Sequence, residues 1–468
     1  MKQLKYFILV LIAINLYCNQ LIAQKSTKKP LNIVLIFMDD LGYGDLSSFG
    51  HPTIQTPNID RLAREGQKWT NFYAASSVCS PSRGALLTGR YPIRIGLAGE
   101  NQRVFFPESI GGLPSKEITI AELLKKNGYK TGIVGKWHLG HLPEFLPTNQ
   151  GFDEYYGIPY SNDMDAIKWS VEELLAKGDI NKWNVPLMEN ETIIERPANQ
   201  ETITKRYTEK ALDFIQKNKD NPFFLYLPHS MVHTPLFVSE EFKNKSPRGL
   251  FGDVMAEIDW SVGQVIEKLE KLELDKNTLV IFTSDNGPWL MMKNHGGSAG
   301  LLKDGKGTTW EGGMRVPAIF YMPGTIKAKT VHNMGATLDI LPTVAAMTNT
   351  KLPKKLILDG YDLTEILKGG SENIRDHFFY YRKKEIYAVR KDSYKAHFIT
   401  ESCYVNNPER TVHKVPLLFN INEDPSERYN CSEKNDSIIN QLVALTKKHQ
   451  ETVTIIPSEL DKYPVKEK

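Results

Sequence analysis

The chain has 468 residues, 41% of them hydrophobic and 24% charged, which is enough to bury a sizeable core in an ordinary globular protein of two domains. Its formal charge is +3, and removing residues 1–23, which hold Lys2 and Lys5 and no acid, lowers this to +1. A balance so near zero argues against nucleic acid as the main partner.

Residues 1–23 read as a secretory signal peptide. Lys2 and Lys5 form the basic start, Phe7 to Leu16 the apolar stretch, and Leu21-Ile22-Ala23 a cleavage site before Gln24. The apolar run is too short for a membrane span and nothing later is long enough, so the expectation is an exported protein, periplasmic or secreted. Tyr17 ahead of Cys18 fits a lipobox poorly. Cleavage leaves Cys79, Cys403 and Cys431, a count that admits one functional thiol and a Cys403–Cys431 disulfide.

In the mature chain, Leu31 to Met38 is a nearly continuous apolar run, the mark of a buried parallel strand. It ends in Asp39-Asp40 and a turn-prone Leu41-Gly42-Tyr43-Gly44-Asp45. Ligands gather at the carboxyl ends of strands in open α/β sheets, and a divalent cation would neutralise this pair. Thr56-Pro57 starts a helix through Leu62 and Ala63 that stops near Gly66.

Next comes Val78-Cys79-Ser80-Pro81-Ser82-Arg83, continued by Gly84 to Arg90. Ser80 reads as an N-cap with Pro81 at the first helical position, and Gly89 closes the helix. Free N–H groups at the helix start, with Arg83 and Arg90, make a seat for an anion. A thiol there is acidified and reactive; the competing reading is a small buried cysteine before an ordinary helix.

Thr119 to Glu122 is a capping box opening a helix that Gly128 closes. Tyr129 to Val134 is a strand running into Gly135-Lys136-Trp137-His138-Leu139-Gly140, where a lysine and a histidine sit on a glycine-framed loop. Gly151 to Gly157 and Pro159-Tyr160-Ser161 follow. Residues 163–200 lack periodicity and read as loops and short helices. Thr202 to Asn218 is a helix and Pro222 to Leu227 a strand, delivering His229 and His233-Thr234-Pro235. Of these, His229 reads as structural. Asp253 to Leu272 is an amphipathic helix, and Thr278 to Thr283 a buried strand ending in Ser284-Asp285-Asn286-Gly287-Pro288. Asp39, Asp40, Asp285 and Asn286 are hard oxygen donors that suit Ca²⁺ or Mg²⁺ and not zinc. Gly305 to Gly313 is a glycine-rich loop carrying Lys306.

Around Leu352 to Asp359 the pattern shifts. A short helix over Leu363 to Leu367, strands at Ile386 to Arg390, Tyr394 to Ile399 and Leu417 to Ile421, and a helix over Ser437 to Lys448 predict a smaller antiparallel sheet. The division expected is a catalytic domain over residues 24–355 and a small one over 356–468.

Cys79 to Arg90 resembles the signature of the type I, formylglycine-dependent sulfatases, Cys-x-Pro-Ser-Arg followed by Leu-x-Thr-Gly-Arg. Gly135 to Gly140 is similar, residue for residue, to a second signature of that family. Gly151 to Gly157, Pro159 to Ser161, Gly305 to Gly313 and Glu423-Asp424-Pro425-Ser426-Glu427 resemble its arylsulfatase A and N-acetylgalactosamine-6-sulfatase branch. The resemblance implies an alkaline-phosphatase-like α/β sandwich with a large mixed, mostly parallel sheet and a smaller α+β domain. It implies sulfate-ester hydrolysis on a sulfated carbohydrate, algal (ulvan or carrageenan type) or glycosaminoglycan. A sulfatase-maturating enzyme would convert Cys79 to formylglycine, whose hydrated aldehyde is the nucleophile. By the same resemblance Asp39, Asp40, Asp285, Asn286 and residue 79 hold Ca²⁺, and Arg83 and Lys136 steady the aldehyde. His233 and Lys306 bind sulfate and help protonate the leaving alcohol, His138 acts as base in the elimination, and Ser161 adds a sulfate contact. A phosphohydrolase of the same superfamily would carry Ser or Thr as nucleophile and two-metal His/Asp sets. A non-catalytic glycan-binding relative would have lost Cys79, Arg83 or His138.

Overall fold

The computed structural model describes residues 29–165, 182–404 and 408–464; the leader expected over residues 1–23, with Cys18, lies outside the described residues. The first apolar run is strand β1 (Asn32–Met38), buried throughout. Its side chains alternate between two cores, with Val34, Ile36 and Met38 on one face of the sheet and Ile33, Leu35 and Phe37 on the other. Each such side chain contributes about 1.5–3 kcal/mol relative to exposure, which fixes this strand at the centre.

The sheet continues with β2 (Gln67–Tyr73), β3 (Lys130–Val134), β4 (Glu154–Gly157), β5 (Leu187–Glu189), β6 (Thr192–Glu195), β7 (Phe223–Pro228), β8 (Thr278–Ser284), β9 (Arg315–Tyr321) and β10 (Lys329–Ala336). The ten strands run in the order β10-β2-β9-β8-β1-β7-β3-β4-β5-β6. The central run β8-β1-β7-β3-β4 is parallel. Helices α1 (Pro57–Glu65), α2 (Cys79–Thr88), α3 (Ile120–Lys126), α4 (Ile203–Lys217), α5 (Leu250–Lys271) and α6 (Ile340–Met347) cover both faces. Leucines and isoleucines of α1, α4 and α5 join the core on the Val34 face, those of α2, α3 and α6 the core on the Ile33 face.

A separate four-stranded sheet, β11 (His377–Arg382), β12 (Glu385–Lys391), β13 (Tyr394–Glu401) and β14 (Arg410–Asn420), is wholly antiparallel. Helix α7 (Asp436–Glu451) packs on it through Ile439 and Leu442, and a third core joins the sheet to Tyr73, Ala85 and Met334 of the main body. The large mixed sheet and the small antiparallel one are the architecture the sequence led us to expect.

Three local expectations are corrected. Helix α2 begins at Cys79 with Val78 as its N-cap; Ser80 does not cap, because its Oγ accepts the N–H of Phe105 at 3.2 Å. Residues 163–200, expected as loops and short helices, include the short strands β5 and β6, which extend the sheet by pairing β5 to β4 and β6 to β5 and not through a periodicity of their own. Cys403 and Cys431 are not joined in a disulfide. Cys431 Sγ donates to Leu418 O at 3.3 Å, whereas Cys403 Sγ lies against the Arg103 guanidinium.

Candidate active site

Parallel strands that start in register also end together. Met38 of β1 pairs with Ser284 of β8, and Phe37 with Pro228 of β7. The residues just beyond, Asp39-Asp40, Asp285-Asn286 and the His229–His233 turn, therefore share one edge of the sheet. Backbone hydrogen bonds tie these ends: Asp285 N donates to Met38 O at 3.1 Å, Val232 N to Asp39 O at 3.1 Å and Lys136 N to Pro228 O at 2.7 Å. Gly135 lets Lys136 turn inward. Its φ is +135°, and a Cβ there would lie 1.9 Å from Pro228 O. Asp40 and His138 hold φ near +60°, a left-handed conformation that costs non-glycine residues on the order of 1 kcal/mol or more.

The side chains converge at this edge. Cys79 Sγ donates to Asp39 Oδ1 at 3.5 Å. Lys136 Nζ sits 2.6 Å from Asp39 Oδ2 and 3.0 Å from Ser161 Oγ. Arg83 forks onto Asp285 Oδ2 at 3.1 and 2.8 Å and donates to Lys136 O at 3.0 Å. Lys306 Nζ meets Asp40 Oδ2 at 2.8 Å, Asn286 Nδ2 donates to Asp40 Oδ1 at 2.7 Å, and His233 Nε2 lies 3.6 Å from Asp40 Oδ2. Arg90 is not part of this seat; it pairs with Glu117.

Burial governs the charges. It pushes the carboxyls of Asp40 and Asp285 up, Asp285 to about 7, and the neighbouring Asp39 charge adds to the rise. Burial works against ionised Asp39 too, yet Lys136 and Arg83 hold its carboxyl well below the usual range. The Cys79 thiol is pushed well up by burial, which outweighs Lys136 and Lys306, so an acidified thiol at this helix start is not what forms. Burial and Lys136 hold His138 neutral, as burial and Lys306 hold His233.

The two histidines differ in which nitrogen is engaged. His138 Nε2 donates to Phe105 O at 2.9 Å, and its Nδ1 is buried without a partner. His233 Nδ1 faces two oxygens, Thr234 O at 2.6 Å and Asn162 Oδ1 at 3.0 Å. The tautomers follow: His138 presents Nδ1 as a free lone pair, His233 presents Nε2 toward Asp40.

The acids also fit a metal. One ligand atom from each of Asp39, Asp40, Cys79 and Asp285 lies within 4.8 Å of the others, all four residues buried. That spread is what a single ion with oxygen ligands at roughly 2.3–2.6 Å would span. Asn286 Oδ1 is buried without a partner beside them, and two of the three carboxylates are destabilised by burial in a way a cation would relieve.

Sequence reasoning missed several neighbours. Asn162 orients His233. Asp163 has a buried, unpartnered Oδ1 and feels Lys136 and Lys306. Trp289 lies 4.6 Å beneath Lys306 Nζ and 5.3 Å from His233. Asn162 and Asp163 adjoin Ser161, and Trp289 follows Asn286-Gly287-Pro288, so adjacency to a motif was the available signal. The lysine loop is anchored from the small sheet. Glu311 N donates to Glu427 Oε2 at 2.7 Å, and buried Lys395 pairs with both Glu311 and Glu427 at 3.0 Å. His229 is buried near Ser261, with no part in the cluster.

A family model described as sulfatase matches residues 31–350, and one described as the C-terminal region of aryl-sulfatase matches residues 373–468. The chain belongs to the sulfatase family. Arylsulfatase A of Bos taurus is 41% identical to it, covering 94% of this chain and 92% of its own. The N-acetylgalactosamine-6-sulfatase of Mus musculus is 40% identical, covering 90% and 86%. Among solved structures, Ps i-CgsB in complex with k-i-k-neocarrahexaose superposes with a TM-score of 0.76 at 32% identity, covering 93% of this chain and 95% of that one. The protein is accordingly a sulfuric ester hydrolase.

Proposed function

We propose that this sulfatase is exported and cleaves sulfate esters on a sulfated polysaccharide, algal or glycosaminoglycan, using formylglycine made from Cys79 by a maturating enzyme and one Ca²⁺. The observation that carries the reading is the fully buried meeting of Asp39, Asp40, Asp285 and Cys79 with Arg83, Lys136 and Lys306 at one sheet edge. Asp39, Asp40, Asp285, Asn286 and residue 79 would hold the ion, which when bound supplies positive charge against sulfate oxygens. A hydrated aldehyde at position 79 supplies the nucleophilic oxygen. The rest is the work of the chain's own side chains. Arg83 is locked between Asp285 and Lys136 O, so it holds residue 79 in one orientation. Lys136, Lys306 and Ser161 place donors where sulfate oxygens gain charge. His233 Nε2 faces the cluster with a lone pair, takes the proton that the attacking hydroxyl of residue 79 gives up and passes it to the leaving alcohol as the ester S–O bond breaks. The free Nδ1 of His138 is the base for the second hydroxyl. Burial of Cys79 keeps bulk water from the reacting atoms.

The glycan reading draws on the relative named for N-acetylgalactosamine 6-sulfate and on the neighbour solved with a carrageenan-type hexaose. Export draws on the basic-then-apolar first 23 residues; no helix among the described residues is long and apolar enough to cross a membrane. We read residues 24–355 as the catalytic part and 356–468 as the small C-terminal part. The experiment is peptide mass spectrometry around residue 79 on enzyme co-produced with a maturation system, alongside turnover of defined sulfated oligosaccharides. An aldehyde mass that tracks activity, and loss of turnover without loss of fold in Cys79→Ala, are expected. Full activity with an unmodified thiol would end the proposal.

A further inference from the structure

Beyond the sulfate seat, a row of rings leads outward. His233 packs on Trp289 at 5.3 Å between ring centroids, and Trp289 on Tyr404 at 5.2 Å. The Arg103 guanidinium lies 5.4 Å over the Tyr404 ring. All three outer residues are half-buried, so each keeps a face toward solvent. Arg103 is unusual in its company. Its partners among the described residues are Cys403 Sγ and Tyr404, neither of them a carboxylate. It also lines a crevice with Arg382 and Lys383, and no acid is among the described residues that line it. Arg382 is neutralised by Glu401 at 3.2 Å, while Lys383 stands on an exposed turn.

Two of the residues lining this crevice are chain neighbours of reaction-centre residues. Val78, the residue before Cys79, lines it, and so does Gly307, the residue after Lys306. Two residues beyond Arg103, Phe105 accepts from His138 and donates to Ser80, so the Arg103 segment is fixed to the site. An aromatic shelf offers a sugar ring an apolar face, and a guanidinium fork without a protein carboxylate is matched to a planar or tetrahedral anion.

We propose that Trp289 and Tyr404 cradle the sugar next to the scissile sulfate, and that Arg103 with Lys383 binds a second anionic group on it, a carboxylate or another sulfate. This rests on the sulfatase reading and narrows it: the preferred substrate carries at least two anionic groups on adjoining sugars.

The test uses the matured enzyme and four probes: 4-nitrophenyl sulfate, and three disaccharides with the same scissile sulfate whose neighbouring sugar is neutral, a uronate, or a second sulfate ester. Wild type is expected to favour one or both doubly anionic disaccharides by about 10- to 100-fold in kcat/KM over the neutral one, the range of a charge-assisted hydrogen bond. Which of the two it favours identifies the anion. Arg103→Gln should collapse that ratio, mainly through KM, and Arg103→Lys should keep part of it. Lys383→Gln, on an exposed turn and checked by its melting temperature, should lower the ratio less. Wild type without the preference overturns the proposal, as does an Arg103→Gln enzyme that loses all four substrates in equal proportion. If wild type hydrolyses 4-nitrophenyl sulfate but shows no preference, only the subsite fails. If it hydrolyses no sulfate ester, the sulfatase reading has failed and the subsite with it.

Discussion

His138 and His233 sit in the same buried field of lysines and acids, but hydrogen bonding leaves a different nitrogen free on each. His138 spends Nε2–H on Phe105 O and keeps an unpartnered Nδ1; His233 spends Nδ1 on Thr234 O and points Nε2 at Asp40. A base needs a lone pair and a leaving-group partner needs reach, so the two changes should not look alike. His138→Ala should release about one equivalent of alcohol in a burst and then stall, its steady rate down by roughly 10²–10⁴-fold. His233→Ala should slow from the first turnover without a burst, and most for sugar alcohols, which are poor leaving groups. Rapid-quench kinetics decide it, and a burst in His233→Ala instead would reverse the assignment. The residues that meet at this edge were legible because carboxylates, lysine and histidine were flanked by glycine or placed where an apolar run stops. Asn162, Asp163, Trp289 and Arg103 were not. Their surroundings come from segments far apart in the chain, and an isolated arginine looks the same in sequence whether or not a carboxylate awaits it.

Helix α7 meets the small sheet through His449, which stacks on Phe379 with ring centroids 3.9 Å apart and shares a hydrogen bond of 2.8 Å with Tyr381 Oη. Burial lowers its pKa to about 4, with Arg94 and His377 adding repulsion. A histidine depressed in the folded state contributes stability that is complete above its ordinary value of about 6.5 and is lost as pH falls toward 4. At pH 4.5 that loss amounts to roughly 2 kcal/mol. His449→Phe keeps the stacked ring and removes the titration, so its melting temperature should drop less than wild type between pH 7.5 and 4.5; equal drops would refute this account. The lost Tyr381 bond costs the variant about the same at both pH values and cancels in the comparison. The elements themselves were unevenly readable. β1, β7 and β8 announce themselves as apolar runs because neighbours cover both faces. β2 and β10 carry lysine and asparagine interspersed with their buried apolar positions, β10 opening exposed and ending buried, and the pairing of β2 to β9 and to β10 is set by the sheet.

At the scale of the whole molecule, the acidic cluster joins the ends of β1 and β8 to the start of α2, bringing together residues 246 positions apart in the chain. Three buried carboxylates face three buried cations, Arg83, Lys136 and Lys306, so the edge is held by opposed charges. Such a set is costly to bury, and removing one partner leaves its opposite stranded at about 3–5 kcal/mol. A divalent cation bound by the oxygens adds attraction that the unfolded chain cannot match, and at one hundred times its Kd it stabilises by about 2.7 kcal/mol. Exhaustive chelation should therefore lower the melting temperature, and Ca²⁺ should restore it with a concentration dependence that zinc does not reproduce. Asp285→Asn keeps the shape and a donor-acceptor group but removes charge opposite Arg83. It should melt earlier than wild type and lose most of the Ca²⁺-dependent rise, independently of whether Cys79 has been matured. A wild-type melting temperature indifferent to chelator and Ca²⁺ would mean that the buried acids are balanced by Arg83, Lys136 and Lys306 alone.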